Sequence, residues 1–452
     1  MARLFGTDGV RGVVNEMLTP ELAYHLGRAA AMYFSKKKAH PTFLIGRDTR
    51  ISGGMLECAL AAGITSMGGN VVIAGVIPTP GVAYLVRYHE WDAGVVISAS
   101  HNPFQDNGIK FFNHEGFKLP DAVEDEIEEY CRQSGSNELA RPTGAEIGRI
   151  EYHMELAHEY ADFIVSTVTM SLEGMTIVYD GANGAASVVG PEVLKRLGAT
   201  VIPIHVDPNG TNINEQCGST HLESLQQTVI AHKADLGIAN DGDADRCLFV
   251  DEKGQVLDGD QIMLLCALKL KEAGQLHDNM IVSTVMSNIG FHKAAKELGM
   301  QTCTTAVGDR YVLERMLEDD YSIGGEQSGH VIFLQYNSTG DGLLTATQLV
   351  SIVKEKGKPL SELAGLMTKY PQQLVNVRVA TKTGWETNTL IAAAIAAGEL
   401  ELGENGRILV RPSGTEPLIR VMAEGTNQEQ LNQICNQIAA VIAQEQGLAQ
   451  DI

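Results

Sequence analysis

Thr42-Phe43-Leu44-Ile45, the turn Gly46-Arg47-Asp48-Thr49-Arg50, a helical stretch over residues 55–62 and the apolar run Val71-Val72-Ile73-Ala74 follow one another near the start of the chain. This order of strand, small-residue turn, helix and strand decides the fold, because the chain repeats it. A second copy reads Met175-Thr176-Ile177-Val178-Tyr179, Asp180-Gly181-Ala182-Asn183-Gly184, a helix over 188–197 and Val201-Ile202-Pro203-Ile204. A third reads Met280-Ile281-Val282-Ser283, a helix near 289–298 and Gln301-Thr302-Cys303-Thr304. Strands alternating with helices give an α/β class, and three copies give three similar mixed α/β domains.

Each copy continues with a second helix and then a short apolar strand, a polar loop and a returning apolar strand. The loops are residues 98–107, 240–246 and 324–330, and loops carried on rigid strands are where sites sit. From about residue 370 the pattern changes to Leu374-Val375-Asn376-Val377-Arg378-Val379, Arg407-Ile408-Leu409-Val410, a polar loop, Leu418-Ile419-Arg420-Val421-Met422 and an amphipathic helix over 428–444. That reads as a smaller α+β domain. The expected domains are therefore 1–153, 154–255, 256–369 and 370–452.

At 452 residues and 44% hydrophobic, the chain is too long for one core. No window reaches the roughly 18 to 20 apolar residues of a membrane span, and the N-terminus lacks the apolar core of a signal peptide. The expectation is a soluble cytoplasmic protein without a membrane partner. A net charge of −22 argues against nucleic acid, since backbone phosphates need a basic face. The basic run Lys36-Lys37-Lys38 reads as the end of a helix, where cations complement the dipole. Seven scattered cysteines, never spaced C-x-x-C, suggest neither disulfides nor zinc.

In the second loop Asp241, Asp243 and Asp245 alternate with Gly242 and Ala244. Three carboxylates so close repel unless a cation neutralises them, and an all-oxygen site suits a hard ion such as Mg²⁺. An Asp-rich hairpin open to water is the plainer alternative. The calcium loop of a helix-loop-helix hand also matches, with Glu252 at its twelfth position, but Arg246 stands where that loop needs glycine and the flanks read as strands. In the first loop, Ser98-Ala99-Ser100-His101-Asn102-Pro103, a serine at a strand end suits a nucleophile or phosphoryl carrier, and equally a capped turn. Lys110 opens the returning strand as a candidate acid/base group or an exposed lysine. In Gly325-Glu326-Gln327-Ser328-Gly329-His330, Glu326 and Ser328 suit sugar hydroxyls, with a polar hairpin as the alternative. Arg411-Pro412-Ser413-Gly414-Thr415, with Arg420 on the next strand, has the guanidinium, hydroxyls and backbone N–H groups of a phosphate cradle, or of a tight turn. It is not a G-x-x-x-x-G-K-[ST] nucleotide loop.

Taken in order, Gly6-Thr7-Asp8-Gly9-Val10-Arg11-Gly12, the Ser100 loop with Asp106-Asn107-Gly108-Ile109-Lys110, Asp241-Gly242-Asp243-Ala244-Asp245-Arg246, the Glu326 loop and Arg411-Pro412-Ser413-Gly414-Thr415-Glu416-Pro417 resemble the α-D-phosphohexomutase superfamily over the whole chain. The resemblance implies a heart-shaped enzyme of three mixed α/β domains and a C-terminal domain of TATA-box-binding-protein-like fold around a central cleft. It implies Ser100 as phosphoserine, with Asp241, Asp243, Asp245 and the Ser100 phosphate holding Mg²⁺, and Glu326 and Ser328 on sugar hydroxyls. Arg411, Ser413, Gly414, Thr415 and Arg420 would hold the non-reacting phosphate. Arg11, His101, Lys110, Arg246 and His330 would line the reacting centre, with Lys110 as general base. The opening motif and Gln327 resemble the amino-sugar branch. The implied reaction is interconversion of glucosamine 6-phosphate and glucosamine 1-phosphate through a 1,6-bisphosphate that also serves as activator, feeding UDP-N-acetylglucosamine synthesis. Mannose and glucose phosphates are the alternative substrates, and the oligomeric state is left open, with a homodimer as one candidate.

Overall fold

The computed structural model describes residues 3–6, 8–133, 141–413 and 416–447. They fall into two compact units, one formed by residues up to 284 with 303–365, the other by 285–302 with 366–452.

The first unit is layered α/β. One six-stranded sheet runs in the order Val10–Val13, Asp106–Asn113, Ala93–Ile97, Thr42–Arg47, Asn70–Val76 and Ile150–Tyr152. Its four last-named strands are parallel, joined by helical crossovers, whereas Asp106–Asn113 returns antiparallel to Ala93–Ile97. Such a sheet needs cover on its faces. Helix Pro20–Ser35 supplies Leu26, Ala30 and Phe34 to a core with Phe43, Ile45, Val95, Ile97 and Phe111. The helix Gly53–Thr65 crosses it closely, since a Cβ on Gly27 would lie 2.3 Å from Leu60 O and one on Gly63 2.2 Å from Tyr24 O. Lys36 follows the first helix directly and pairs with Glu126, so the lysine run ends a helix as expected.

A second sheet runs Val256–Leu257, Cys247–Asp251, Leu236–Asn240, Thr176–Asp180, Thr200–Ile204. A third contributes Met280–Thr284, Ile323–Gly325 and Val331–Phe333 to this unit. The three polar loops occupy one recurring place. Each lies between a strand that ends a parallel set and the antiparallel strand that returns from it: Ala93–Ile97 to Asp106–Asn113, Leu236–Asn240 to Cys247–Asp251, and Ile323–Gly325 to Val331–Phe333.

The second unit is α+β, with antiparallel strands Gln372–Arg378, Leu418–Glu424 and Arg407–Pro412 in that order under helices Thr389–Leu402 and Gln428–Gln446. Ile391, Leu402, Ile419, Val421, Leu431, Ile434 and Ile438 form its core. The helix Thr389–Leu402 is absent from the sequence reading, because TLIAAAIAAGELEL is apolar on most sides and shows no clear 3.6-residue face. Helix Ile289–Glu297 was expected where it lies in the chain, but it groups with this unit. The buried Glu424 explains the grouping: its carboxylate accepts from Asn288 Nδ2 (3.3 Å), Ile289 N (3.2 Å) and Arg407 Nε, and Arg407 also reaches Ser287 O. Among the described residues no helix is long and apolar enough to cross a membrane.

Candidate active site

Ser100 sits where a straight strand has to become a loop. Its φ of +50° is left-handed, which for a residue with a Cβ costs about 1–2 kcal/mol. The side chain is 2% exposed, and its Oγ donates to Asp241 Oδ2 at 2.6 Å and lies 3.2 Å from His101 Nδ1. Burial, and then the charges of Arg246 and Arg11, pull His101 down to about 4, so its ring is neutral at physiological pH and is a poor base for that hydroxyl.

Asp241, Asp243 and Asp245 are all buried, and one ligand atom of each lies within 4.8 Å of the others. Asp243 Oδ1 and Asp245 Oδ1 have no hydrogen-bond partner. Burial, reinforced by Asp245 and Asp243, pushes Asp241 well above the usual carboxyl range. Buried carboxylate oxygens left bare are costly, and three carboxylates with ligand atoms this close fit a hard divalent cation. The water-exposed hairpin is ruled out by this burial. The calcium-hand alternative fails too: strands flank the loop, and Glu252 turns away to bond Ser361 N at 3.2 Å and Ser361 Oγ.

Cations face the triad from several elements. Lys110, 2% exposed, places Nζ 3.1 Å from Asp243 Oδ2 and 3.0 Å from Asp8 Oδ2. Burial alone would lower the lysine; the two carboxylates outweigh it and hold Nζ above its usual value, as an ammonium. Asp8 also pairs with Arg11 and, at 2.6 Å, with Lys118, which reaches Asp309 Oδ2 at 2.6 Å. His330 lies 3.6 Å from both Asp309 Oδ2 and Asp245 Oδ2, and its Nε2 accepts the Gly340 N–H at 3.1 Å. Alternating charges thus run from Asp243 through Lys110, Asp8 and Lys118 to Asp309, and the His330 ring stands between Asp309 and Asp245. Arg246 donates its backbone N–H to Asp241 Oδ1 at 3.2 Å, while its Nε, 3.9 Å from Asp245 Oδ1, and that of Arg11 are buried without a hydrogen-bond partner. Unspent guanidinium donors beside such a carboxylate cluster suit a phosphoryl group.

The loop 326–329 is held by the end of the aspartate loop, at Cys247, and by Gly259 and Gly308. Gly329 O accepts from Cys247 N at 3.0 Å, Gln327 O accepts from Gly259 N at 2.9 Å, and Glu326 Oε1 accepts from Gly308 N at 3.2 Å. Glu326 is half-buried and Ser328 exposed.

In the second unit Arg411 and Arg420 are cross-strand partners, both half-buried. Burial and then Arg420 push Arg411 below the usual guanidinium value. Arg420 NH2 donates to Glu416 Oε2 at 3.3 Å and to buried Ser413 Oγ at 3.4 Å, and Arg420 Nε has no partner. Two adjacent guanidiniums with a spare donor have the chemistry to receive an anion. Lys382, missed from the sequence, adds a third cation by bonding Ser413 O at 2.8 Å. Gly414 and Thr415 lie outside the described residues.

The first unit therefore brings together Ser100, His101, Lys110, Arg11, the three aspartates, Arg246 and His330, with the Glu326 loop docked beside them. Asp8, Lys118, Asp309, Thr79 (Oγ1 to Asp243 Oδ2, 2.7 Å) and Asn214 also belong to this neighbourhood, and the sequence reading gave none of them a role. Asp8 had a signal, inside the opening motif. Lys118 and Asp309 sit in no recognisable local pattern.

Four domain profiles described as phosphoglucomutase/phosphomannomutase alpha/beta/alpha domains I, II and III and C-terminal domain match residues 2–138, 158–254, 258–370 and 374–441. The chain belongs to this phosphohexomutase family and is an isomerase of the mutase kind. It is 55% identical to the phosphoglucosamine mutase of Heliobacterium modesticaldum (98% of this chain, 99% of that one) and 56% identical to that of Carboxydothermus hydrogenoformans (98% and 99%). Among solved structures it resembles a phosphoglucomutase/phosphomannomutase family protein from Burkholderia thailandensis, with TM-score 0.81, 24% identity and coverage of 98% and 97%. It also resembles the Aspergillus fumigatus N-acetylphosphoglucosamine mutase in complex with GlcNAc-6P and magnesium, with TM-score 0.70, 19% identity and coverage of 97% and 95%.

Proposed function

We propose that this chain interconverts glucosamine 6-phosphate and glucosamine 1-phosphate in the cytoplasm, with Ser100 as the phosphoryl carrier. The observation that carries the reading is Ser100 Oγ, buried 2.6 Å from Asp241 of a three-carboxylate cluster with bare oxygens and surrounded by Arg11, Lys110 and Arg246. The hexosamine substrate is supported by full-length relatives at 52–56% identity, all named phosphoglucosamine mutase.

In the proposed cycle the bond from Ser100 Oγ to phosphorus breaks as one forms from phosphorus to a sugar oxygen. The sugar hydroxyl gives up its proton and Ser100 Oγ regains one. The resulting 1,6-bisphosphate turns end for end and returns its other phosphoryl group to Ser100. Asp241, Asp243 and Asp245 would hold Mg²⁺, which when bound draws charge off the transferring group. Arg11 and Arg246 offer their spare N–H groups to phosphoryl oxygens, so catalysis is mostly positioning and electrostatics. Lys110, an ammonium between Asp8 and Asp243, gives a proton to one oxygen and takes it from the other over the full cycle. Glu326 and Ser328 take sugar hydroxyls. Arg411, Ser413, Gly414, Thr415 and Arg420 take the non-reacting phosphate.

Turnover of glucosamine, glucose and mannose phosphates, compared with Mg²⁺ and a hexose 1,6-bisphosphate activator, tests the substrate. The glucosamine pair is expected to have the highest kcat/KM, and faster conversion of a glucose or mannose phosphate would overturn the assignment. Arg420→Ala tests the cradle. Losing a charge-assisted hydrogen bond of about 1.5–3 kcal/mol should raise KM roughly 10- to 100-fold with a smaller change in kcat. An unchanged KM removes Arg420 from substrate binding.

A further inference from the structure

Arg50 takes no part in the chemistry above, yet it is 1% exposed and fully bonded. Its Nε donates to Asp48 Oδ2 at 2.9 Å, NH2 to Ser100 O and Asn102 O at 2.9 Å each, and NH1 to Asp106 O at 3.1 Å and to Pro103 O. A guanidinium has five N–H groups, so one carboxylate and four carbonyls of the serine loop use them all. Asp48 completes the circuit. Its Oδ2 accepts the Ser98 hydroxyl at 2.6 Å, and Ser98 Oγ accepts the Ser100 N–H at 2.9 Å. Both the N–H and the C=O of Ser100 are thereby referred to one buried ion pair. Asn214, on another loop, adds a second donor to Ser100 O at 2.9 Å and to Asn102 O at 3.1 Å.

We propose that Arg50, set by Asp48, is a positioning residue for phosphoryl transfer: it clamps the left-handed Ser100 backbone so that Oγ stays aimed at the aspartate cluster throughout the cycle. This rests on reading Ser100 as the carrier. A loop that only had to be stable would not need a buried charge, which costs desolvation that only a full set of partners recovers. A planar fork meeting four carbonyls fixes direction, and a lysine, a point charge with three donors, cannot reproduce it.

The test uses the full-length protein with Mg²⁺. Single-turnover phosphoryl transfer from radiolabelled glucose 1,6-bisphosphate to Ser100 is measured beside kcat, KM and thermal unfolding. Arg50→Lys is expected to lower the single-turnover rate and kcat about 100-fold, the scale of a 1 Å misplacement, while KM stays within about threefold. Asn214→Ala, which removes only the second donor, should lower the single-turnover rate by roughly tenfold. Guanidinium ion added to Arg50→Ala should restore part of the rate where methylammonium does not. A folded Arg50→Lys protein transferring at the parent rate would overturn the clamp; if that variant does not fold, an unchanged rate in Asn214→Ala overturns it. Ser100→Ala separates the two ideas. Activity surviving there sinks the carrier reading, whereas an inactive Ser100→Ala beside a normal Arg50→Lys sinks only the clamp.

Discussion

Replacement of Ser100 by alanine is expected to lower turnover by about 10⁴-fold or more while the protein stays folded. The size of the effect follows from the role, because a covalent carrier has no substitute. His101 Nδ1 is 3.2 Å away, but a ring that burial and the charges of Arg246 and Arg11 hold near 4 is too weakly basic to replace the hydroxyl as carrier. The fold should survive because the change removes one oxygen and keeps the backbone. The Ser100 N–H still meets Ser98 Oγ and its C=O still meets Arg50 and Asn214. Alanine tolerates φ +50° about as poorly as serine, so stability should move by only about 1 kcal/mol. Intact mass after incubation with a bisphosphate gives an independent reading: the parent gains about 80 Da and the variant does not. Activity within tenfold of the parent, or the same mass gain in the variant, would remove Ser100 from the mechanism.

The second large effect concerns the aspartate cluster. Chelation of divalent cations should lower activity by about 10³-fold or more, and Mg²⁺ should restore it, because the charge on a transferring phosphoryl group is otherwise unmet on its carboxylate side. The same cation should stabilise the fold. Without it, burial and two neighbouring carboxylates push Asp241 far above its ordinary range, and Asp243 Oδ1 and Asp245 Oδ1 have no hydrogen-bond partner. At a free Mg²⁺ concentration 100 times its Kd, binding adds about 2.7 kcal/mol, a rise in the unfolding midpoint readable in the absence of any substrate. Asp243→Asn should lose most of this increment together with activity. It should not unfold the protein, since asparagine retains an oxygen for the Thr79 hydroxyl 2.7 Å away. A midpoint indifferent to Mg²⁺ in the parent would show that the cluster binds no such ion.

Much of this was legible in one dimension. The three strand, turn, helix, strand copies announced the layered α/β architecture, and the polar loops at the same point of each copy marked the places where Ser100, the aspartates and the Glu326 loop now stand. Alternation in Asp241-Gly242-Asp243-Ala244-Asp245 already placed three carboxylates on one short turn, because only one small residue separates each from the next. The turn Gly46-Arg47-Asp48-Thr49-Arg50 was visible as well, but only as a turn. Nothing in it says that Arg50 reaches residues 50 to 56 positions onward.

Element order, fold class and the chemical type of each loop are properties of residues near one another in the chain, so one dimension carries them. Tertiary structure decided which distant charges meet. Lys118 to Asp309, Asp8 to Lys110 and Arg50 to Ser100 span 191, 102 and 50 positions, and long-range pairing leaves no local period to read. It also decided how each group is tuned. Burial is a property of the assembled core, and burial makes the aspartate cluster demand a cation, holds His101 neutral and turns the guanidinium of Arg50 from a surface charge into a clamp on the serine that carries the proposed chemistry.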